Sequence, residues 1–325
     1  MEKILIFVEV KENEPRKVSL ELLSEGRKLA ANSGWTAEAV VFGQISPSVK
    51  ERILPYVQKL VNITDPALEQ YTAEGYALAL AAYIKETEPN IAAAGATRIG
   101  RDFTPRAAVL LQSGIASDVT GADWLGDPAT FIRPMYGGKV LAQVAFKAYP
   151  ALVTTRPNTF DITQPGGEIG EFVEKQVGIL PDHVRTKVLR VEEKAKVKAD
   201  LTEADIIVSG GRGMKAAENF KVLEELADVI GATVGATRSV VDAKWRDYED
   251  QVGKSGKTVS PKLYIAAGIS GAIHHIMGMD TSKVVLAINK DPNAIIFNYA
   301  NYGIVGDLFD VVPALTEEFR KKLGE

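Results

Sequence analysis

The chain has 325 residues, 46% hydrophobic and 25% charged, which is typical of a globular protein with a sizeable core and predicts about two domains. A formal net charge of −4 gives no overall attraction to nucleic acid. The absence of cysteine excludes disulfides, thiolate zinc sites, cysteine-ligated iron–sulfur clusters and a cysteine nucleophile. With only three histidines, we expect no metal site and assign any redox chemistry to an organic cofactor.

The beginning of the sequence shows no targeting pattern. Residues 4–10 form an apolar run of strand length, without the longer stretch and cleavage site of a signal peptide. The longest apolar stretch elsewhere, 77–84, is far too short to span a bilayer. We therefore expect a cytoplasmic protein with no membrane insertion.

The first half alternates short apolar runs with amphipathic segments, the pattern of a parallel sheet with helices on both faces. The predicted elements are strand 4–10, helix 15–33, strand 37–42, helix 71–86, strand 90–94 and a helix that opens after the run 98–105, with Pro105 near its first turn.

The pattern changes after residue 116, where strand-like pieces at 131–134, 139–146 and 152–155 predict an irregular, partly antiparallel addition to the sheet. The charge-dense stretch 185–203 is interpreted as a solvated last strand plus a connector. The predicted organisation is an N-terminal domain over 1–190, a connector or hinge over 191–203 and a C-terminal domain over 204–325.

The second half predicts a compact open α/β sheet of about five strands. The predicted strands are 204–209, 232–234, 263–267, 284–288 and 295–298, and the predicted helices are 215–230 and 316–323. Nearly every strand runs into a polar or glycine-rich turn. Because ligands of open α/β sheets bind outside the carboxyl ends of the strands, these turns hold the candidate binding residues.

The first turn, Gly211-Arg-Gly-Met-Lys-Ala216, fits the relaxed pattern G-x-G-x-x-A. Glycine lets the backbone approach a ligand, free amides at a helix start favour an anion, and Arg212 would add a cation. A tight turn without a ligand is the alternative. After the next strand, Thr237 and Arg238 would lie at the same edge, although Arg238 could equally form a surface ion pair.

The third turn, 251–257, looks like a fragment of a P-loop, but that interpretation is rejected. The required first glycine is replaced by Tyr248 or by Gln251, depending on which Gly-Lys pair is used. What remains is a polar loop with donors from Lys254, Ser255 and two glycine amides, or an ordinary surface loop.

The fourth turn, 268–279, contains two of the three histidines. Ser270, Gly271 and the amides that follow could form a second anion cradle, with His274 or His275 as a hydrogen-bond donor beside the ligand. The alternative places one histidine on the surface and the other in the core.

Two later turns, 287–292 and 302–308, carry polar residues after predicted strands. Asn289 and Asp307 could recognise a ribose or the edge of a base, but both residue types are also common turn formers. Polar turns after so many strands of one sheet favour a bound dinucleotide.

In order and spacing, these segments resemble the alpha subunit of electron-transfer flavoprotein. The resemblance covers 204–320 and extends more loosely to the first half through 100–108. The residues that carry it are Val208-Ser-Gly-Gly-Arg-Gly, Gly235-Ala-Thr-Arg, Gln251-Val-Gly-Lys-Ser-Gly-Lys, Leu263-Tyr-Ile-Ala-Ala-Gly-Ile-Ser-Gly-Ala-Ile-His-His-Ile-Met-Gly-Met, Ala287-Ile-Asn-Lys-Asp-Pro and Tyr302-Gly-Ile-Val-Gly-Asp-Leu-Phe.

The resemblance implies an α/β protein of two domains. The N-terminal domain would be a nucleotide-hydrolase-like parallel sheet with added strands, and the C-terminal domain a flavodoxin-like or Rossmann-like open parallel sheet that binds FAD. The implied FAD-binding residues are Arg212, Thr237, Arg238, Gln251, Val252, Gly253, Lys254, Ser255, Ser270, Gly271, Ala272, Ile273, His274 and His275, with Asn289, Asp307 and Leu308 at the adenosine end.

The implied function is electron transfer in a heterodimer with a beta subunit. The chain would accept electrons from acyl-CoA or other dehydrogenases and pass them to a quinone reductase or similar acceptor, without a catalytic acid, base or nucleophile. Arg238 and Ser255 match positions near the flavin N5, and His275 the position near O2. At an effective dielectric of about 20, a unit charge about 4 Å away contributes about 4 kcal/mol before desolvation, so Arg238 and His275 are predicted to tune the flavin potential. Ser255, as the hydroxyl near N5, completes the predicted redox-tuning set.

Four positions depart from the common pattern of that family. Thr237 stands where serine is frequent and Ser255 where threonine is common, and both keep a hydroxyl. Lys254 replaces a common glutamine and adds a charge near the cofactor. His274 also stands where glutamine usually precedes the flavin histidine, so the flavin contact is assigned to His275.

Other functions stay open on the sequence alone. Some members of this family carry a second FAD in the beta subunit and oxidise NADH by electron bifurcation, whereas others bind AMP there; the partner chain would distinguish them. A cofactor-free scaffold is opposed by Arg238, Ser255 and His275, and a nicotinamide dehydrogenase lacks an acid–base group beside the glycine pattern. The first domain is expected to form the partner interface, and the second to swivel about 191–203.

Overall fold

The computed structural model describes residues 2–166, 169–179, 181–192 and 200–324. The chain separates into two compact units, Met1–Lys194 and Ala195–Glu325. Most of the predicted connector, residues 193–199, lies outside the described residues, so the hinge stays a prediction.

The first unit is built around a parallel sheet. Its strands are β1 (Lys3–Phe7), β2 (Val10–Lys11), β3 (Glu14–Pro15), β4 (Thr36–Phe42), β5 (Lys59–Ile63), β6 (Ile91–Gly95), β7 (Ile115–Val119), β8 (Gly121–Asp123), β9 (Thr130–Met135), β10 (Val140–Ala145), β11 (Ala151–Thr155) and β12 (Glu171–Lys175). Its helices are α1 (Lys17–Ser33), α2 (Pro47–Ile53), α3 (Ala73–Thr87) and α4 (Arg98–Leu110). The seven strands of the main sheet run in the order β12-β5-β4-β1-β6-β11-β7, and all are parallel.

Both faces of this sheet are buried, as its parallel pairing requires. On the central strand, Ile4 and Ile6 enter one core, while Leu5 and Phe7 enter the other. Helix α1 covers the first face, and helices α3 and α4 cover the second, where Phe103 is fully buried. The predicted alternation of strands and helices is therefore confirmed.

The start of α4 differs from the prediction. The helix begins at Arg98, so Pro105 lies inside it rather than near its first turn. Thr97 is the N-cap residue, and its Oγ1 accepts a hydrogen bond from the amide of Gly100 at 2.9 Å. The threonine cap, and not Pro105, therefore fixes the start of this helix.

The added strands also differ from the prediction. Strands β8, β9 and β10 form an antiparallel sheet of their own, and β11 is a parallel strand of the main sheet, between β6 and β7. The last strand of the unit is β12, upstream of the charge-dense stretch, and described residues 185–192 have no strand. Over the described residues 185–192 and 200–203 the predicted last strand is not found, and residues 193–199 lie outside the described residues. Strand β12 forms earlier, where Phe172 and Val173 pack against the cores.

The second unit is a five-stranded parallel sheet. Its strands are β13 (Ile206–Gly210), β14 (Thr233–Ala236), β15 (Leu263–Ala267), β16 (Val284–Asn289) and β17 (Tyr302–Val305), and its helices are α5 (Lys221–Ile230), α6 (Arg238–Asp242), α7 (Ile273–Ile276) and α8 (Leu308–Leu323). The order is β14-β13-β15-β16-β17, which is the flavodoxin-like order 2-1-3-4-5. From β13 the chain first adds β14 on one side and then adds β15, β16 and β17 on the other. The boundary between β13 and β15 is therefore the topological switch point, where open sheets of this kind bind ligands.

Three boundaries in the second unit correct the sequence analysis. The predicted helix 215–230 starts only at Lys221, after a 3-10 helix at Glu218–Phe220, because Lys215 has a φ of 66° that no α-helix allows. The predicted strand 295–298 is a 3-10 helix, Ile295–Tyr299, and the fifth strand is β17 instead. Helix α8 begins at Leu308 rather than at 316.

None of the helices in the described part of the chain is both long and apolar enough to cross a membrane.

Candidate functional site

A cavity of about 520 Å³ opens at the carboxyl ends of β13 and β15. Gly211 and Gly213 line it from the turn after β13, and Gly268 and Ser270 line it from the turn after β15. The volume is within the usual range of small-molecule sites, and the location is the switch point of the sheet.

The two glycine turns pack backbone against backbone. The amide of Gly213 donates to the carbonyl of Gly268 at 3.1 Å, and a Cβ on Gly211 would lie 2.2 Å from that same carbonyl oxygen. Gly268 has a φ of 62°, a backbone conformation that residues with a side chain rarely adopt. The glycines are therefore needed for the close approach of the two turns. Because they carry no side chains, this part of the cavity wall consists of backbone atoms.

Arg212 lines the cavity, but the predicted helix start beside it was wrong. Residues Arg212–Met214 form a 3-10 helix, and α5 begins only at Lys221. An anion here would meet the Arg212 guanidinium and the amides of the glycine turns rather than the N-terminus of an α-helix.

The turn after β14 brings a cation and a carboxylate together. Thr237 is the N-cap residue of α6, and its hydroxyl lies 3.1 Å from that of Ser239. The Nε of Arg238 lies 3.4 Å from Oδ2 of Asp242, one helical turn later. Both partners line the cavity, so Arg238 forms the ion pair of the alternative prediction and also lies in the site.

The polar loop 251–257 contributes a hydroxyl that is held in place. Ser255 lines the cavity, and its Oγ accepts a hydrogen bond from the side-chain amide of buried Gln251 at 3.0 Å. Gly253 has a φ of 139°, and a Cβ there would lie 2.8 Å from the carbonyl oxygen of His274. The same carbonyl accepts from the amide of Lys254 at 2.7 Å, so the loop is fixed against α7.

His275 lies in the cavity wall but is only 6% exposed. Its Nδ1 is 3.1 Å from the carbonyl oxygen of Val252, which can only accept, so Nδ1 carries the proton. Its Nε2, 3.0 Å from the hydroxyl of Tyr264, then accepts a hydrogen bond from that phenol. Burial lowers the pKa of His275 to about 4 and raises the pKa of Tyr264, so both groups are neutral near pH 7.

Comparisons with known proteins bear on this site. Residues 200–280 match the model of the electron transfer flavoprotein FAD-binding domain, and residues 4–178 match the electron transfer flavoprotein domain. The chain belongs to the electron-transfer flavoprotein family. It is 42% identical to an electron transfer flavoprotein subunit alpha of Thermoanaerobacterium thermosaccharolyticum and 41% identical to one of Bacillus subtilis, each alignment covering 98% of both chains.

A further relative is Protein FixB of Clostridium saccharobutylicum, 38% identical over 98% of this chain and 96% of that protein. A solved thiamin diphosphate-dependent enzyme of Mycobacterium smegmatis aligns with a TM-score of 0.25 at 12% identity, covering 96% of this chain and 59% of that longer one, which is too distant to carry an argument. The chain is thus an electron-transfer flavoprotein alpha subunit with an FAD-binding domain, and this family implies a beta-subunit partner.

Most of the residues predicted to bind FAD come together in the cavity wall of this alpha subunit. They are Arg212, Thr237, Arg238, Val252, Gly253, Ser255, Ser270, Ala272, His274, His275 and Asn289. The donor set consists of two guanidinium groups, several hydroxyls and backbone amides beside bare glycines, which suits the phosphates and carbonyls of FAD. The cavity therefore fits the cofactor, although the individual contacts remain predictions.

The other predicted residues lie outside that wall, namely Gln251, Lys254, Gly271, Ile273, Asp307 and Leu308. Gln251 acts on the site through Ser255. Gly271 allows close packing, because a Cβ there would lie 2.3 Å from the amide nitrogen of Ile296. Asp307 is the N-cap residue of α8 and accepts from the amide of Phe309 at 3.0 Å, the role of a structural turn former.

Asn289 lines the cavity, yet its side chain is already engaged. Its Nδ2 donates to the carbonyl of Ile269 at 2.9 Å, and its Oδ1 accepts from the amide of Asp291 at 3.0 Å. Asn289 therefore ties the turn after β15 to the turn after β16, in addition to any contact with adenosine.

Three lining residues, Ser239, Asp242 and Ile269, were not singled out, and Gly211, Gly213 and Gly268 were predicted only as parts of candidate turns. The glycines belong to the motifs quoted for the family, but their packing role needs coordinates to be seen. Asp242 follows Arg238 by four residues, a spacing that could have indicated their ion pair on one helix.

Proposed function

We propose that the cavity at the switch point of the second unit holds the flavin of this electron carrier. The observation that carries the proposal is the convergence of Arg212, Arg238 and Ser255 on one cavity within the matched FAD-binding domain. The same match argues against a cofactor-free scaffold. When bound, FAD supplies the redox chemistry, and the protein supplies binding, orientation and electrostatics.

Three groups would act on the flavin. The Arg238 guanidinium places a positive charge in the cavity wall and favours ligand states with more negative charge. Ser255 offers a hydroxyl whose direction Gln251 sets. His275 is neutral, and the proton on its Nδ1 is already donated to Val252, so it contributes a fixed dipole rather than a cation unless ligand binding replaces one of its partners.

The test is co-purification of the chain with its beta subunit, a visible absorption spectrum, and identification of the ligand released by heat. We expect flavin bands and released FAD. Arg238→Gln should weaken FAD binding about tenfold, because a charge-assisted hydrogen bond contributes about 1.5 kcal/mol or more. Arg320→Gln, on the exposed face of α8, is the matched control. A complex that stays colourless after incubation with FAD would refute the proposal.

We propose acyl-CoA or other dehydrogenases as electron donors and a quinone reductase or similar protein as the acceptor, in line with the family resemblance. Two flavins per heterodimer and flavin reduction by NADH would instead indicate the bifurcating alternative. The cytoplasmic location stays a prediction.

We propose that the antiparallel hairpin β9–β10 of the first unit faces the beta subunit. Its exposed apolar side chains include Ile132, Val140 and Leu141, at 39%, 48% and 65% exposure, and apolar patches of this kind mark interfaces. Leu141→Asp should reduce co-purification with the beta subunit, whereas Val109→Asp, on an exposed position of α4, should not. Equal recovery of both variants would contradict this assignment.

A further inference from the structure

The cavity wall contains an acidic side chain, although its other polar groups favour a negatively charged ligand. Among the described residues that line the cavity, Asp242 is the only acid, whereas Arg212, Arg238 and the glycine amides all favour negative charge. A carboxylate in such a wall opposes a ligand that carries phosphates, or that gains negative charge on reduction. The presence of the Asp242 carboxylate in this wall therefore requires a physical explanation.

The geometry couples Asp242 to Arg238. The two residues are the last and the first of helix α6, so the four-residue spacing places their side chains on one face. Oδ2 of Asp242 lies 3.4 Å from Nε of Arg238, and the side chains are 64% and 68% exposed. An ion pair this exposed contributes little to the stability of the fold, so the carboxylate can be removed without unfolding the unit.

We propose that Asp242 is a positioning and charge-tuning residue for Arg238. It holds the guanidinium in the cavity wall and offsets part of its positive potential, which keeps the reduction potential of the bound flavin lower than Arg238 alone would set it. The inference rests on the proposed function, because it takes the cavity as the flavin site.

The experiment compares Asp242→Asn, Asp242→Glu and Asp228→Asn in the complex with the beta subunit. Asparagine keeps a carbonyl acceptor for Arg238 but loses the charge, and glutamate restores the charge. Asp228 is exposed on α5 and lies outside the cavity lining, so its loss changes the net charge of the chain by the same amount. Spectroelectrochemical titration gives the potential of the first electron, and flavin fluorescence gives the dissociation constant of FAD.

For Asp242→Asn we expect the ratio of reduced to oxidised flavin, at a fixed ambient potential, to rise about fivefold, equivalent to about 40 mV. Binding of FAD should tighten in the same variant. Asp242→Glu and Asp228→Asn should stay near the parent protein, and the shift should shrink in high salt. If Asp242→Asn matches Asp228→Asn while FAD is still bound, this inference fails and the flavin site stands. If no variant or parent complex binds FAD, the proposed function fails, and this inference with it.

Discussion

A buried carboxylate in the first unit should make its stability depend on pH. Glu21 of helix α1 is 1% exposed and accepts hydrogen bonds from the amides of Asn158, Thr159 and Phe160. Burial raises the pKa of Glu21 from 4.5 to about 7, because the amide donors and the charge of Lys17 only partly offset the loss of hydration. The folded state therefore holds this proton at pH values where the unfolded chain has released it.

The sign and size of the effect follow from linkage. Because the pKa is higher in the folded state, the contribution of Glu21 to stability is greatest below about pH 4.5 and falls as the pH rises through about 7. A shift of this size corresponds to a loss of about 3 kcal/mol in the free energy of unfolding across that range. The cost of ionisation arises from the lost hydration of the carboxylate, since the amides of 158–160 themselves favour its charged form.

The assay is denaturant unfolding of the parent protein and of Glu21→Gln between pH 4.5 and 8, monitored by tryptophan fluorescence. Of the three tryptophans, Trp124 reports on the segment 158–160, because its ring lies 5.7 Å from that of Phe160. The stability difference between the two proteins should change by about 3 kcal/mol over this range, in favour of Glu21→Gln at high pH. Glu51→Gln, at an exposed position of α2, is the control. A difference that is independent of pH would refute the reasoning, as would a carboxyl carbon of Glu21 that titrates near pH 4.5 by NMR.

Three further outcomes are expected. Gly268→Ala should cost at least about 1 kcal/mol of stability and weaken FAD binding, because its Cβ would lie 2.7 Å from Leu308, whereas Gly231→Ala, with a similar φ of 64° and open space, should affect stability alone. His275 should stay neutral in an NMR titration until about pH 4; a midpoint near 6.5 would contradict its burial. Tyr248→Phe removes the hydroxyl that donates to the carbonyl of Ser255 at 2.8 Å, so the amides of 253–256 should exchange faster with solvent, with unchanged exchange counting against this link.

The parts of the fold that sequence could predict are those with strong local signals. Strand β15 matches its prediction to the residue, because it is a buried apolar run that ends at Gly268. The helix starts were missed where a side-chain cap fixes them, as Thr97 and Asp307 do. Helix α2 and strand β5 were not predicted at all, since both are short and depend on tertiary contacts: β5 pairs with β4, and α2 buries Val49 and Ile53 in the core.

The sequence could predict where the candidate site lies but not the contacts between its side chains. Turns after neighbouring parallel strands must meet at one edge, so the sequence could bring Arg212, Arg238 and Ser255 together. It could not show that Tyr264, on the buried face of β15, engages Nε2 of His275. The four-residue spacing of Arg238 and Asp242 is compatible with an ion pair on one helix, but the sequence could not show that this pair faces the cavity, because α6 is too short for its periodicity to predict which face is turned to a ligand.

The two units place different groups at the switch points of their parallel sheets. In the first unit the topological switch point lies between β1 and β6, because β4 and β5 are added on one side of β1 and β6 on the other. Glu9 follows β1, and Thr97 follows β6. There the buried Glu9 carboxylate accepts from the Thr97 hydroxyl and, at 3.3 Å, from Arg16. A buried carboxyl group that accepts hydrogen bonds within the protein therefore occupies the position where a phosphate would need donors.

At the corresponding point of the second unit, glycines replace side chains, and the guanidinium groups face a cavity instead of a buried acid. The difference lies in the few residues after each strand, not in the order of the strands. It follows that placing a carboxylate in the second switch point should convert it towards the first, and Ser270→Glu is the direct test. Ser270 lines the cavity and is exposed, so the substitution should leave the fold intact while abolishing FAD binding. Retained binding in Ser270→Glu would show that charge at this edge does not decide which unit takes the cofactor.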